Sequence, residues 1–138
     1  MTTSVRDKTS FTFNINPIPA SRPRVTRWGN YYSKTYTNYK SEMAYLLRDM
    51  DVSLFKGLLE VEVLFFVAMP KSWSKQKKVT KHEAYCDNNA DIDNYIKAIF
   101  DALNGVMYED DRQIVRIKNS EKRYSTSPRT EFSITVVK

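Results

Sequence analysis

A chain of 138 residues that is 41% apolar can bury one core, and with only three glycines and five prolines it is not a disordered or low-complexity polymer. Its single cysteine, Cys86, excludes an internal disulfide, and with no signal-like start a one-domain cytosolic protein is expected. The longest apolar run, Val61 to Met69, is too short to cross a bilayer.

The formal net charge is +6, and its distribution is uneven. Residues 1–40 hold seven Lys/Arg against one acid, residues 71–82 five lysines and no acid, and residues 112–138 seven bases against two acids. Between the last two blocks, residues 83–111 hold eight acids against Lys97 alone. Basic flanks attract phosphates, whereas an acidic island among them attracts cations. A passive basic DNA binder has no use for such an island.

Residues 1–10 are polar and expected to be loose. Phe11 to Ile15 alternates like a strand, which Asn16-Pro17-Ile18-Pro19 ends. Ser21 to Arg27 is a proline-stiffened basic loop, followed by Trp28, Tyr31, Tyr32, Tyr36 and Tyr39. Arg22, Arg24 and Arg27 are candidate phosphate contacts, and the aromatics candidate stacking surfaces for unpaired bases. The alternative is a tyrosine-rich hairpin packed on the core or on a second subunit. Tyr39 to Met50 carries an apolar face and reads as a helix. Gly57 to Met69 reads as a central strand, with odd positions apolar and Glu60 and Glu62 facing solvent. Ser72 to Lys78 reads as a short helix or loop whose Lys75, Lys77 and Lys78 are either solvated charge or contacts to a DNA backbone. His82 stands alone, without a second ligand at metal spacing, and reads as a surface residue. Asp87 to Ala90 is a turn, and Gln113–Tyr124 and Thr130–Val137 are two further strands, with Thr126-Ser127-Pro128-Arg129 expected to join them as a hairpin. The expected fold class is α+β: a small mixed or antiparallel sheet with two main helices packed on it.

The most informative stretch runs from Asp91 to Gln113. Ile92, Tyr95, Ile96, Ile99, Phe100 and Leu103 recur at helical spacing, with Asp91 or Asp93 as N-cap and Asn104-Gly105 as the stop. Asp93, Lys97 and Asp101 line the opposite face. Beyond the helix comes Asp110-Asp111. If the following strand lies beside the helix, Asp110 or Asp111 returns toward Asp91 and Asp93. Converging carboxylates repel unless a cation sits between them, and all-oxygen ligation suits Mg²⁺ or Mn²⁺. The same residues also have ordinary readings: Asp91 and Asp93 as caps, Asp93–Lys97 as an i, i+4 pair, and Asp110–Asp111 as a turn.

Asp91-Ile-Asp93-Asn94-Tyr-Ile-Lys97-Ala-Ile-Phe-Asp101-Ala-Leu, followed by Asp110-Asp111-Arg-Gln113-Ile, resembles the RusA family of Holliday-junction resolvases of phages and bacteria. Pro17 to Arg24 resembles that family's proline-rich basic loop, and the likeness runs from about Phe11 to the C-terminus. It departs at Ala90, where members often carry a basic residue or proline. The resemblance implies a Mg²⁺-dependent, homodimeric endonuclease that cuts four-way DNA junctions symmetrically in recombination and repair, with Mn²⁺ as a possible substitute. It implies Asp91, Asp93 and Asp111 as metal-binding catalytic carboxylates, Lys97 as the catalytic lysine, and Asp110 as an adjoining ligand. Asp101 recurs in the pattern without an implied ligand role. Two other readings stand beside this one. The first is a branched-DNA nuclease of relaxed specificity acting on flaps and forks. The second is a non-catalytic junction-binding or DNA-packaging accessory protein.

Overall fold

The computed structural model describes residues 8–21, 24–31 and 33–137. In chain order these form β1 (Lys8–Phe13), a hairpin of β2 (Arg24–Thr26) and β3 (Gly29–Tyr31), α1 (Lys34–Arg48), β4 (Leu58–Ala68), α2 (Lys75–Lys81), α3 (Ile92–Leu103), a 3₁₀ turn (Asp111–Gln113), β5 (Ile114–Ser125) and β6 (Arg129–Val137). The fold is α+β, as the sequence pattern predicts. No helix among the described residues is long and apolar enough to cross a membrane.

Four strands form one sheet in the order β1-β6-β4-β5. β6 is antiparallel to both β1 and β4, whereas β5 runs parallel to β4, so Thr126 to Arg129 do not make the expected hairpin: β4 lies between β5 and β6 and takes the ladder of both. A parallel pair cannot be closed by a hairpin. The 45 residues between Ala68 and Ile114 therefore cross from one end of the sheet to the other, and they contain α2 and α3. β4 is central. Leu59, Val61, Val63, Phe65 and Val67 are all buried, in one cluster with Tyr95, Ala98, Ile99 and Leu103 of α3 and Tyr36, Tyr39, Met43 and Leu47 of α1. The rings of Phe65 and Tyr95 lie 5.5 Å apart. The apolar stripe read from α3 is thus the surface laid on the sheet, with Ile92, Ile96 and Phe100 at its half-buried margins.

Several boundaries differ from expectation. Lys8, Thr9 and Ser10 are strand, paired with Thr135, Ile134 and Ser133, because β6 offers them a ladder. The first helix begins at Lys34, five residues before Tyr39. Ser33 caps it by accepting from the Tyr36 N–H, so the tyrosines that read as a hairpin surface are partly helix, with Tyr36 buried. The lysine-rich segment that read as a short helix or loop over Ser72 to Lys78 is a helix, α2, shifted to Lys75–Lys81. Glu60 does not face solvent. It is only 9% exposed and pairs with Arg116 (3.0 Å) and Lys118 (3.8 Å) of the neighbouring strand. Gly105 ends α3 with φ +81°, the left-handed conformation expected of it.

The α3–sheet contact carries the fold, so shortening it has a defined cost. Ile99 is fully buried. Ile99→Ala is expected to lower unfolding free energy by about 3 kcal/mol, read as an earlier urea midpoint at unchanged slope. A loss below about 1 kcal/mol would show that α3 contributes little to the core.

Candidate active site

The site is built on the two ends of α3. At its start, Asp91 occupies the N-cap with extended backbone (φ −76°, ψ 145°), but its side chain makes no capping hydrogen bond. Asp93 lies in the first turn, where the helix dipole favours negative charge. Both residues are exposed, and neither forms an ion pair among the described residues. The expected i, i+4 partner of Asp93 is taken elsewhere. Lys97 Nζ lies 3.4 Å from Asp101, one turn further on. Two of the ordinary duties, a side-chain cap and a pair with Lys97, are therefore left unfilled, and both carboxylates stay free at the surface.

The far end is more constrained. Asp101 Oδ2 accepts from the Tyr36 hydroxyl at 3.1 Å, so α1 steadies the same carboxylate that holds Lys97. Asp110 caps the 3₁₀ turn, its Oδ1 accepting from the Arg112 N–H at 3.0 Å. That hydrogen bond, above all, lowers the Asp110 pKa below the usual carboxylate range. Gln113 closes the turn reciprocally. Its Oε1 accepts from the N–H groups of Glu109 (2.9 Å) and Asp110 (3.1 Å), and its Nε2 donates to the carbonyls of Phe55 (3.1 Å) and Gly57 (3.0 Å). Asp111, in the same turn, feels the charges of Asp110, Asp101 and Lys97. The Asp111 pKa is raised, first by desolvation and then by Asp110 and Asp101, with Lys97 acting in the opposite direction. Buried Tyr108, which donates to the Phe100 carbonyl at 2.9 Å, has its ionisation pushed up by burial first and then by Asp111 and Asp101.

The candidate carboxylates thus form two groups. Asp101, Asp110 and Asp111 share an electrostatic neighbourhood with Lys97. Asp91 and Asp93 stand at the other end, the eight residues from Asp93 to Asp101 spanning about 12 Å of helix. No three His, Cys, Asp or Glu side chains among the described residues lie close enough together to hold a metal ion. In chemistry the donors still fit a hard divalent cation. All are carboxylate oxygens, and the ionisation of Asp111, opposed first by desolvation and then by Asp110 and Asp101, would be favoured by a cation.

Basic residues gather near the N-terminal end of α3. Trp73 packs edge-on against Tyr124 at 5.0 Å, and Lys77 Nζ lies 4.3 Å from the Trp73 ring centroid. The Tyr124 hydroxyl donates to Asp87 at 3.0 Å, which is the main cause of a lowered Asp87 pKa. The loop leading to Asp91 is therefore tied to the base of α2, whose Lys75 and Lys77 are exposed and whose Lys78 is half-buried. On another side, the Ala20 N–H donates to the Asn94 carbonyl at 2.8 Å, docking the proline loop on the first turn of α3. Arg24 begins β2, and exposed Arg27 stacks over Trp28 at 5.3 Å. Arg22 and Tyr32 lie outside the described residues. His82 is exposed, as expected, and its Nδ1 accepts from the Thr126 N–H at 3.3 Å.

The sequence reading missed Lys122. Its Nζ donates to Asn88 Oδ1 at 2.8 Å and to the Ala90 carbonyl. A signal was available, since Lys122 sits two residues before buried Tyr124 on one strand and must share its inward face.

The chain matches the family model described as Endodeoxyribonuclease RusA over residues 14–135. It is 34% identical to the uncharacterized protein YqaN of Bacillus subtilis (strain 168), over 93% of this chain and 96% of that protein.

The charge crowding at Asp111 has a measurable sign. A carboxyl whose pKa is raised by the fold costs stability once ionised, and the cost grows as pH rises through that pKa. In EDTA at neutral pH, Asp111→Asn is expected to raise Tm by about 1–3 °C, the gain vanishing below pH 3. A lower Tm for the variant at neutral pH would refute the crowding.

Proposed function

The chain belongs to the RusA endodeoxyribonuclease family, and we propose that it is a Mg²⁺-dependent nuclease that resolves four-way DNA junctions as a homodimer. One observation carries the reading beyond the family match. Asp91 and Asp93 present free carboxylates at a helix N-terminus, with a lysine of the same helix face held ready by Asp101. The helix dipole rewards negative charge in that place but requires neither a cap bond nor an ion pair, so both carboxylates remain available for the chemistry of phosphodiester hydrolysis.

Asp91, Asp93 and Asp111, with Asp110 adjoining, would be the residues to hold a hard divalent cation, which when bound would supply an activated water and charge neutralisation on the phosphate. The protein's own side chains do the rest. Lys97, exposed and oriented through Asp101 and Tyr36, offers an ammonium to charge developing on the phosphate or the leaving oxygen. The Asp101 contact restricts its rotamers before substrate arrives. Lys75, Lys77 and Lys78 on α2, and the loop bearing Arg22, Arg24 and Arg27, hold the phosphodiester backbone on two sides of α3's first turn. Junction symmetry matches a two-fold dimer with one site per scissile strand. Such an enzyme works in the cytosol, where recombining DNA is found.

The deciding experiment is cleavage of a synthetic four-way junction, with matched flap and linear substrates, in Mg²⁺, Mn²⁺ or EDTA. Paired symmetric nicks that need metal are expected. Asp91→Asn, Asp93→Asn and Lys97→Ala should each lower the rate by about a hundredfold or more while keeping junction binding in EDTA. Equal cutting of flaps and junctions would favour the relaxed-specificity nuclease, and tight binding without cleavage would favour the accessory protein. Replacing Lys75, Lys77 and Lys78 together with alanine should weaken binding of any DNA sequence alike and flatten the slope of log affinity against log salt by about 2–3. An unchanged slope would remove α2 from the DNA surface. Sedimentation showing only monomer with full activity would remove the dimer.

A further inference from the structure

We infer that Lys122 is a positioning residue for the Asp91 carboxylate, an inference that rests on the nuclease reading of that carboxylate. Lys122 is in register with Phe65 of β4, whose ring packs on Tyr95, so it projects to the helix side of the sheet. There its ammonium donates to the Asn88 side chain and to the carbonyl of Ala90, with the Tyr95 ring centroid 6.0 Å away. Asn88 is itself fixed, its Nδ2 donating to the Tyr95 hydroxyl at 2.8 Å.

Two features separate this contact from ordinary packing. First, half-buried Lys122 gives its hydrogen bonds to neutral acceptors, and Asp87, the carboxylate whose ionisation it favours, does not come within ion-pair distance of it. A partly desolvated ammonium that bonds only to neutral acceptors is a poor device for stability, since an apolar chain of equal length would fill the space at lower cost. Second, the carbonyl it holds belongs to the peptide that enters Asp91. The Asp91 side chain makes no cap hydrogen bond, so its place is set through its backbone. Holding the Ala90 carbonyl fixes the plane of the Ala90–Asp91 peptide and with it the direction of the carboxylate. Asp87, at the other end of the same loop, is held by Tyr124, the next residue along β5 on the same face.

The test compares wild type, Lys122→Met, Lys122→Arg and Asn88→Ala. Calorimetry measures Mn²⁺ binding without DNA, hydrogen exchange reads residues 87–91 in EDTA, and junction affinity is measured in EDTA. Lys122→Met is expected to weaken Mn²⁺ binding about tenfold and to speed exchange in the loop. Junction affinity should be unchanged, and Lys122→Arg should recover part of the loss. Asn88→Ala removes one partner while keeping the charge, so it decides the matter if Lys122→Met does not fold, a smaller loss of Mn²⁺ affinity being expected. Unchanged Mn²⁺ binding in the variants, or a loss of junction affinity in its place, would overturn the inference. Absence of Mn²⁺ binding by the wild type would overturn the nuclease reading, and the inference with it, whereas binding by wild type and variants alike would overturn the inference alone.

Discussion

The parallel pairing of β4 with β5 is the constraint on which the rest of this structure depends. An antiparallel partner would need only a turn. A parallel one obliges the chain to leave the end of β4, travel back across the sheet and re-enter at the start of β5. The return path is where the candidate site lies. It holds the lysine-rich α2, the loop from Asp87 to Ala90, α3 with its acidic face, and the turn bearing Asp110 and Asp111. The apolar stripe of α3 is what the sheet requires. The polar face opposite it is free to be specialised, because it contributes nothing to burial.

That specialisation is visible as unrelieved charge. Asp111 has its ionisation opposed first by desolvation and then by Asp110 and Asp101, with Lys97 acting the other way. Gln113 nevertheless fastens the turn that keeps these carboxylates together, with four hydrogen bonds to Glu109, Asp110, Phe55 and Gly57. A turn fastened by one residue while its neighbours oppose one another's ionisation is the kind of local conflict expected at a functional site.

Much of this was legible in the sequence because it follows from periodicity and local chemistry. The α3 stripe, the left-handed Gly105, the strands and the α+β class all arise from spacing, turn residues and apolar alternation. The family motif named its carboxylates because it is local too. What escaped depends on neighbours distant in the chain. Lys8 to Ser10 looked loose, but β6 provides them with partners. Glu60 looked solvent-facing, but Arg116 and Lys118 arrive beside it from 56 and 58 residues away. Lys97 had two acidic residues at equal spacing on its own helix, and the choice of Asp101 over Asp93 is seen only in the fold, where α1 also brings the Tyr36 hydroxyl to Asp101.

The helix also sets a limit on how the site can assemble. Within α3 the spacing of Asp93, Lys97 and Asp101 is fixed by the backbone ladder. The carboxylates outside it, Asp91 and Asp111, are placed by the segments on either side. Each segment is fastened by a side chain at one end of β5: Gln113 immediately before the strand holds the turn of Asp110 and Asp111, and Lys122 near its close holds the peptide before Asp91. A single strand therefore sets the reach of both flanking carboxylates toward the helix between them. Since that strand is itself held in parallel register on β4, the placing of both flanking carboxylates traces back to the sheet through these two side chains.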